Sequence, residues 1–258
     1  MSPVWMGFLG SFAAGAVTAV GAIPILFGKA LSRRANDILL GFAAGVMFAA
    51  AFFSLIIPGI EQARAHFGSP VTAASLAVAG VGLGAAFVAL LNASIPHRHF
   101  VRGPQGPASE EIARIWLFVF AIAIHNIPEG LAVGVGFGSG DISRATTLAL
   151  GIGLQNAPEG LAVAVALAAA GYSRQKSFTA AALTGIVEPV AGTLGAWSIT
   201  LSAALLPWAL TFAAGAMIYV IVHEIIPETH QHGSPGFATL GFVSGLAVMM
   251  FLDVALAL

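Results

Sequence analysis

Two nine-residue segments of this chain nearly repeat each other, and each carries side chains that can bind a metal ion. The first, residues 125–133, reads HNIPEGLAV, and the second, residues 155–163, reads QNAPEGLAV. In each segment a histidine or glutamine precedes a glutamate by four residues, so both side chains lie on one face of a helix. Imidazole nitrogen together with carboxylate and amide oxygens suits zinc, iron or manganese. The repeat therefore predicts a cation site built from two helices.

Three glutamates are predicted to lie at one depth in the membrane, where charged residues are unusual. Glu129, Glu159 and Glu188 each lie roughly 15 to 25 Å along an apolar segment, which is near the middle of a bilayer. Consecutive membrane spans run antiparallel, so a shared depth does not follow from spacing alone. Buried glutamates that serve only helix packing are the alternative, but three at one depth would be costly without a function.

A proline lies beside each of these glutamates, as Pro128, Pro158 and Pro189. A proline inside a helix has no N–H to donate, so a carbonyl oxygen one turn earlier is left free. Interrupted helices deep in a membrane line cavities and mark the binding sites of transporters. The prolines therefore favour a functional site over plain packing.

The composition requires a membrane protein. Of 258 residues, 58% are hydrophobic and 8% are charged, and the mean hydropathy is +0.94. A soluble domain carries about a quarter charged residues. Cysteine is absent, which excludes disulfides and thiolate metal sites, and the net charge of -1 gives no reason to expect nucleic acid. The N-terminus lacks the features of a cleaved signal peptide, so the first apolar stretch is expected to be a retained span.

Eight apolar stretches reach the length of about 20 residues that a membrane helix requires. They are continuous rather than alternating and rich in Ala, Leu and Gly, which predicts an all-α integral membrane protein with a single transmembrane domain over residues 1–258. The predicted spans are residues 5–27, 38–60, 71–95, 112–137, 145–170, 178–203, 206–227 and 237–256.

The basic residues predict the orientation of these spans. Eight of the ten lie in the first, third and fifth connections, and the other two lie in the second and fourth. Cytoplasmic loops carry an excess of Lys and Arg, so both termini are expected on the outer side of the membrane. The eight are Lys29, Arg33, Arg34, Arg98, Arg102, Arg114, Arg174 and Lys176, and the two are Arg64 and Arg144.

A second polar group lies at the end of the seventh span and is expected at the cytoplasmic side. It consists of His223, Glu224, Glu228, His230 and His232. These side chains are suited to an exit site for a metal that leaves the centre of the membrane. A polar helix end at the interface is the alternative, and it is weakest for His223 and Glu224, which still lie in apolar sequence.

Other polar and sulfur-bearing residues give weaker signals. Asp253, near the outer end of the last span, is suited to attracting cations at an entrance, although a lone charge there is equally compatible with solvation. His97 and His99 lie in the polar connection 96–111 and are expected to be solvated, with weak sampling of metal ions as the alternative. Met47 lies inside the second span, where a thioether usually serves packing.

These motifs resemble those of the ZIP (Zrt/Irt-like) family of divalent-metal transporters, and of its bacterial GufA-type branch in particular. The resemblance covers the whole chain, and its most specific part is the repeated Asn-x-Pro-Glu-Gly followed by Glu-Pro in the sixth span. It implies a binuclear transport site in spans four to six. That site would consist of His125, Asn126, Glu129, Gln155, Asn156, Glu159 and Glu188.

The resemblance also implies roles for outlying residues. Met47 would cap the first metal position, His223 and Glu224 would form an exit-side metal site, and Ser54 and Asp253 would lie near the outer entrance. It further implies two inverted three-span repeats around spans four and five, a homodimer, and a bacterial inner membrane with periplasmic termini.

One position departs from the family pattern. Some relatives have an acidic residue where this chain has Asn156. Because a neutral amide is a weaker metal ligand than a carboxylate, the binding of two ions at once is in question here.

Together these observations predict a transporter that moves zinc, and related ions such as cadmium, iron or manganese, toward the cytoplasm without an organic cofactor. Glu129 and Glu159 are expected to be the central ligands, and protons are expected to compete with the metal. The two helices that carry the repeated motif are expected to move against the other six, in an elevator-type alternation of access. The expected partners are divalent metal ions and the lipid bilayer.

Two alternatives from other functional classes fit less well. An intramembrane zinc metalloprotease would use His223 and Glu224, but the second histidine of a His-Glu-x-x-His motif is missing. A proton-coupled carrier of an organic solute would need the glutamates, but it does not explain His125 and Gln155 at matched positions.

Overall fold

Helices account for all the regular structure described for this protein, for which a computed structural model covers residues 1–28, 32–94, 108–230 and 235–256. In chain order they are α1 (Pro3–Ala22), α2 (Arg33–Ala49), α3 (Ile57–Phe67), α4 (Pro70–Ser94), α5 (Ala108–Gly138), α6 (Ile142–Ala169), α7 (Arg174–Thr184), α8 (Val187–Leu201), α9 (Leu206–Val220), α10 (Ile226–His230) and α11 (Pro235–Leu256). A 3-10 segment, Ile23–Phe27, follows α1.

The helices agree with the predicted all-α membrane fold. Within the described residues, seven segments are long and apolar enough to cross a membrane: Pro3–Phe27, Arg34–Phe67, Pro70–Leu91, Ile142–Ala169, Arg174–Leu201, Leu206–Ile225 and Pro235–Leu256. Helix α5, 31 residues long, lies where the fourth span was predicted. The second span extends beyond its predicted end, because α3 begins at Ile57 and continues past Pro58 to Phe67.

Several residues with sequence-based predictions lie outside the described part of the chain. They are Lys29, His97, Arg98, His99, Arg102 and His232.

Two spans contain a short π-helical segment. Ala50–Ile56 joins α2 to α3, and Ile221–Ile225 joins α9 to α10. An Ala-Ala-Gly-x-Met sequence precedes each segment, at residues 43–47 and 213–217, and Ile-Ile-Pro lies at the end of each. Single-turn π segments are frequent at functional sites, and these two carry residues of both predicted outlying sites.

The sixth span is interrupted where Glu188 lies. Helix α7 ends at Thr184 and α8 begins at Val187, with a turn at Gly185 and Ile186 between them. Glu188 therefore occupies the first turn of α8. In contrast, α5 and α6 continue as helices through their internal prolines. Of the three interruptions that the prolines suggested, the described chain has a full break only beside Glu188.

Helices α1, α5, α6, α7 and α8 pack together and are termed the first bundle. Its closest contacts are made by glycine. Gly134 of α5 lies against the backbone of Gly192 of α8, and Gly160 of α6 lies against the Thr18 carbonyl of α1. A Cβ at either glycine would overlap backbone atoms, which cannot rotate away. Such small-residue contacts let membrane helices approach closely, so they hold the first bundle together.

Helices α2, α3, α4, α9 and α11 form the second bundle. Gly45 of α2 lies against the Phe242 carbonyl of α11, and Gly84 of α4 lies against the Phe212 carbonyl of α9. Backbone-to-backbone packing therefore holds this bundle together as well.

The two bundles meet through larger side chains. Leu148 and Ile152 of α6 belong to the same buried apolar cluster as Met47 of α2 and Met249 of α11. Of the described glycines, Gly151 is the one whose close neighbour lies in the other bundle, and that neighbour is the flexible thioether of Met249. This contact between the bundles can therefore adjust by side-chain rotation, whereas the backbone contacts of Gly134, Gly160, Gly45 and Gly84 within the bundles cannot.

The pairing of spans has an internal regularity. Span one packs on span five and span four on span six, while span two packs on span eight and span three on span seven. Exchanging spans one to three with six to eight, and four with five, converts each pair into the other. This is the pairing expected of two three-span repeats that flank spans four and five; the inverted arrangement itself stays a prediction.

Candidate metal centre

The seven residues predicted for the central site are all buried. Each has an exposed fraction of 3% or less: His125, Asn126, Glu129, Gln155, Asn156, Glu159 and Glu188. They come from α5, α6 and the first turn of α8. Glu188 lies close enough to Glu129 and Glu159 for their charges to act on it. The fold therefore buries polar side chains from three consecutive spans near one another, and their role as metal ligands stays a prediction.

Asn156 is held by contacts to two neighbouring helices and to its own helix. Its Nδ2 donates hydrogen bonds to the Ala14 carbonyl of α1 at 2.9 Å and to Oε1 of Glu188 at 2.8 Å. Its Oδ1 accepts a hydrogen bond from Nε2 of Gln155 at 3.2 Å. The side chain thus connects α6 to α1 and α8, and all of its polar atoms have partners.

Asn126 occupies the matching position in the other motif, but its oxygen is used differently. Its Nδ2 donates to the Thr184 carbonyl at the end of α7, at 2.9 Å. Its Oδ1 is buried and has no hydrogen-bond partner within the described part of the chain. The amide is therefore fixed through its nitrogen, and its oxygen remains available as a ligand.

Buried oxygens without partners are concentrated in this cluster. Within the described ranges they include Asn126 Oδ1, Gln155 Oε1, Glu159 Oε1 and Glu188 Oε2. Both carboxylate oxygens of Glu129 also lack a well-aligned hydrogen bond, although the Gln155 side chain is adjacent. Leaving one such group buried and unsatisfied costs about 1–3 kcal/mol. A bound cation would satisfy several of them at once.

The carboxylates and imidazole alone do not form a compact cage. Among the residues that the structure describes, no three His, Asp or Glu side chains are placed closely enough to hold an ion. Two contacts account for part of this: Asn156 engages Glu188, and His125 reaches toward Glu224. An ion held here would therefore need amide oxygens as additional ligands or small side-chain rotations.

His125 connects the central cluster to the predicted exit site. Its Nε2 lies 2.8 Å from Oε2 of Glu224, which belongs to the π segment between α9 and α10. This contact joins the first bundle to the second. His223 is exposed, with its ring centroid 4.9 Å from that of Tyr219. Glu228 and His230 follow on α10. The sequence predicted two separate sites, whereas the fold puts a residue of one in contact with a residue of the other.

The two predicted entrance residues contact each other in the second bundle. Ser54, in the π segment that follows α2, donates a hydrogen bond of 2.7 Å to Oδ1 of Asp253 on α11. A cavity of about 40 Å³ adjoins Ser54 and is lined from both bundles, with Gln62 on one side and Asp141 and Arg144 on the other.

Contacts between the bundles surround this end of the molecule. Arg144 Nη1 of α6 donates to Oε2 of Glu61 on α3 at 3.1 Å, and Ser143 Oγ donates to the Leu256 carbonyl of α11 at 2.7 Å. Sequence reasoning treated Arg144 only as a topology marker. Its Nε also lies 3.5 Å from Oδ2 of Asp141, three residues earlier. Glu61, in contrast, is distant in the chain, so no local motif could have revealed the pair between the bundles.

Two further buried residues deserve note for their position. Met47 is fully buried in the apolar cluster between the bundles, and its role as a metal ligand stays a prediction. Asp37 of α2 is a buried carboxylate outside the predicted set. In the sequence, its position next to an apolar stretch was the feature that could have indicated a buried carboxylate.

Fold and site together define a multi-pass helical membrane protein with a buried polar centre, and comparisons with known proteins agree. A family model described as ZIP Zinc transporter matches residues 97–253. Zinc transporter GufA of Myxococcus xanthus is 43% identical over 250 residues, which cover 97% of this chain and 98% of that protein. Zinc transporter ZIPB of Bordetella bronchiseptica is 44% identical over 248 residues, 96% of this chain and 80% of that protein. Zinc transporter ZIP11 of Homo sapiens is 36% identical over 336 residues, 99% of this chain and 98% of that protein.

The chain belongs to the ZIP family of zinc transporters. This confirms the family resemblance drawn from the repeated motif, including its GufA-type branch. Because the relatives are transporters rather than enzymes, the metalloprotease alternative is not supported.

Proposed function

We propose that this protein carries zinc across the membrane through the cluster formed by α5, α6 and α8. The observation that carries the proposal is the set of buried oxygens without partners, which come from both copies of the repeated motif and from Glu188. Relatives that align along nearly the whole chain are named zinc transporters, and nitrogen and oxygen ligands suit zinc.

The ligands of the transported ion would come chiefly from five side chains. Glu129 and Glu159 supply charge from the two motifs, and Asn126 and Gln155 each offer a buried amide oxygen. His125 supplies imidazole nitrogen once it turns from Glu224. The same nitrogen and oxygen set would accept cadmium, iron or manganese, with a softer ion favoured if the Met47 thioether takes part.

Access would alternate by movement of the first bundle against the second. Rigid glycine contacts within each bundle and adaptable side-chain contacts between them support this division. The moving unit would then contain α1, α7 and α8 as well as the two helices with the repeated motif, rather than those two helices alone. Such a unit would carry the ion past the second bundle, as in an elevator.

The direction of transport is proposed to be toward the cytoplasm. The excess of basic residues in the first, third and fifth connections supports an orientation with the Asp253 end outside and the Glu224 end inside. In that orientation Ser54 and Asp253 would lie at the entrance, and the contact between His125 and Glu224 would hand the ion to the exit side. Location in a bacterial inner membrane with periplasmic termini, and assembly as a homodimer, belong to the same proposal.

Zinc uptake by purified protein in liposomes tests the proposal. The Glu129→Gln/Glu159→Gln double variant is expected to lose at least about tenfold in uptake rate, because losing even an outer-shell partner of a metal ligand typically costs 10- to 100-fold. A Glu110→Gln/Glu111→Gln double variant is the matched control. It neutralises two carboxylates at the start of the same helix, about 27 Å from Glu129 along the axis. Wild-type uptake by the first double variant would refute the site.

A further inference from the structure

The two asparagines of the repeated motif have the same sequence context but different hydrogen bonds. Asn126 donates a hydrogen bond from its side-chain nitrogen to the Thr184 carbonyl, and its side-chain oxygen has no partner in the described part of the chain. In Asn156 both ends of the amide are hydrogen-bonded: the nitrogen donates to the Ala14 carbonyl and to Glu188, and the oxygen accepts from Gln155. Equivalent positions in the sequence therefore need not have equivalent roles.

Chemistry fixes the orientation of the Asn156 amide. An amide NH2 group has two hydrogens to donate, and two acceptors, the Ala14 carbonyl and Oε1 of Glu188, lie on the same side of Asn156. Turning the amide over would bring its oxygen against both of these oxygens and leave Gln155 Nε2 facing a nitrogen donor. The observed orientation is thus the one that satisfies all three neighbours.

This orientation closes the space between Asn156 and Glu188 to a cation. Zinc binds carboxylate oxygen at about 2.0–2.2 Å, whereas Asn156 Nδ2 already lies 2.8 Å from that oxygen with a hydrogen directed at it. The NH2 group of the amide thus occupies the position of an ion that would bridge Asn156 and Oε1 of Glu188. Burial of the Glu188 side chain costs free energy, which a bound cation could offset. The hydrogen bond from Asn156 offsets part of this cost instead.

We infer that the central site carries one divalent ion at a time and that Asn156 is a positioning residue rather than a ligand. The ion would be held by oxygens that have no partner in the described part of the chain, among them those of Asn126 and Gln155 and Oε2 of Glu188. Asn156 instead anchors Glu188 and joins α6 to α1 and α8. This inference rests on the proposed transport site, and it assigns that site a stoichiometry.

The stoichiometry of bound zinc, measured by equilibrium dialysis of the purified protein in detergent, tests the inference. The zinc bound by the Glu129→Gln/Glu159→Gln variant measures binding outside the central site, such as at histidines. This amount is subtracted from the zinc bound by each other protein. The wild type is expected to retain one ion at the centre after subtraction. Asn156→Asp is expected to retain two, because it replaces the NH2 donor that faces Glu188 by an oxygen and so offers a second ion carboxylate oxygens from both side chains. Asn126→Asp, the same change in the other motif, is expected to retain one.

Each result has a distinct meaning. Two central ions in the wild type, or one in a folded Asn156→Asp variant, would overturn the inference. The wild-type value decides the matter even if Asn156→Asp fails to fold. If the wild type bound no more zinc than the Glu129→Gln/Glu159→Gln variant, the proposed central site itself would be wrong.

Discussion

Replacing Gly130 by alanine should separate two helices at the metal centre itself. Gly130 follows Glu129 on α5 and packs directly on the backbone of Glu188 on α8. A Cβ built there would lie 2.7 Å from Glu188 Cα and 2.9 Å from its carbonyl carbon, and closer still to its carbonyl oxygen. Because these are backbone atoms, no side-chain rotation can relieve the overlap. The glycine of the Pro-Glu-Gly motif is thus explained by close helix approach.

The size of the effect follows from this geometry. Restoring ordinary contact distances requires Glu188 to move by about 1 Å relative to Glu129, whereas metal ligands tolerate errors of only about 0.2 Å. The variant should therefore lose at least about tenfold in zinc uptake rate at low zinc concentration. Overpacking of this kind also costs about 1–3 kcal/mol of stability, against a gain of up to about 1 kcal/mol in helix propensity.

The assay pairs initial rates of zinc uptake in liposomes with thermal unfolding in detergent. At about 2–4 °C per kcal/mol for a chain of this size, the melting temperature of Gly130→Ala should fall by a few degrees. Gly82→Ala in α4 is the control, since a Cβ there meets nothing within 4 Å, and it should be as stable as the wild type or slightly more stable. Normal uptake and normal stability of Gly130→Ala would refute the close packing of α5 on α8.

Three further outcomes are expected. Reversing Arg144 to Glu should alter zinc uptake modestly, because it removes exposed ion pairs with Glu61 and Asp141 that contribute about 0–1 kcal/mol each. Adding Glu61→Arg should recover part of the lost uptake, because it restores an opposite-charge pair between the bundles. A double variant no better than Arg144→Glu alone would contradict that contact. Glu224→Gln should lower the uptake rate at saturating zinc more than it changes the half-saturating zinc concentration. The reason is that it removes the carboxylate that faces His125 on the proposed exit side. An unchanged maximal rate would argue against transfer of the ion from His125 to Glu224. Uptake should also fall as the pH is lowered, because protons compete with the metal ion for the nitrogen and oxygen ligands. Uptake rates measured between neutral and acidic pH test this, and rates that do not change with pH would contradict it.

Much of the fold was predictable because its signals are local. Hydropathy and length predicted the succession of apolar helices, and the repeated motif singled out the buried residues of α5 and α6. The break before Glu188 was less well predicted. Proline marks all three glutamates equally, but Pro128 and Pro158 are accommodated within continuous helices, and only the sixth span carries a turn at this point.

The grouping of spans into two bundles was not predictable in the same way. Glycines are visible in the sequence, yet their partners are residues far along the chain, as with Gly134 and Gly192. The paired Ala-Ala-Gly-x-Met sequences at 43–47 and 213–217 are also visible, but their significance emerges only because a π segment follows each of them.

The sequence by itself determined that this chain is a helical membrane protein with a metal-capable motif present twice, because hydropathy and helical spacing depend on neighbouring residues alone. Tertiary structure decided what each copy does. Asn126 and Asn156 differ because α7 offers one of them a single carbonyl, while α1 and α8 offer the other a carbonyl and a carboxylate. Likewise, His125 meets Glu224 only because two bundles pack together. A hydrogen bond depends on which groups the fold brings within reach, and the helix that carries a motif does not contain that information.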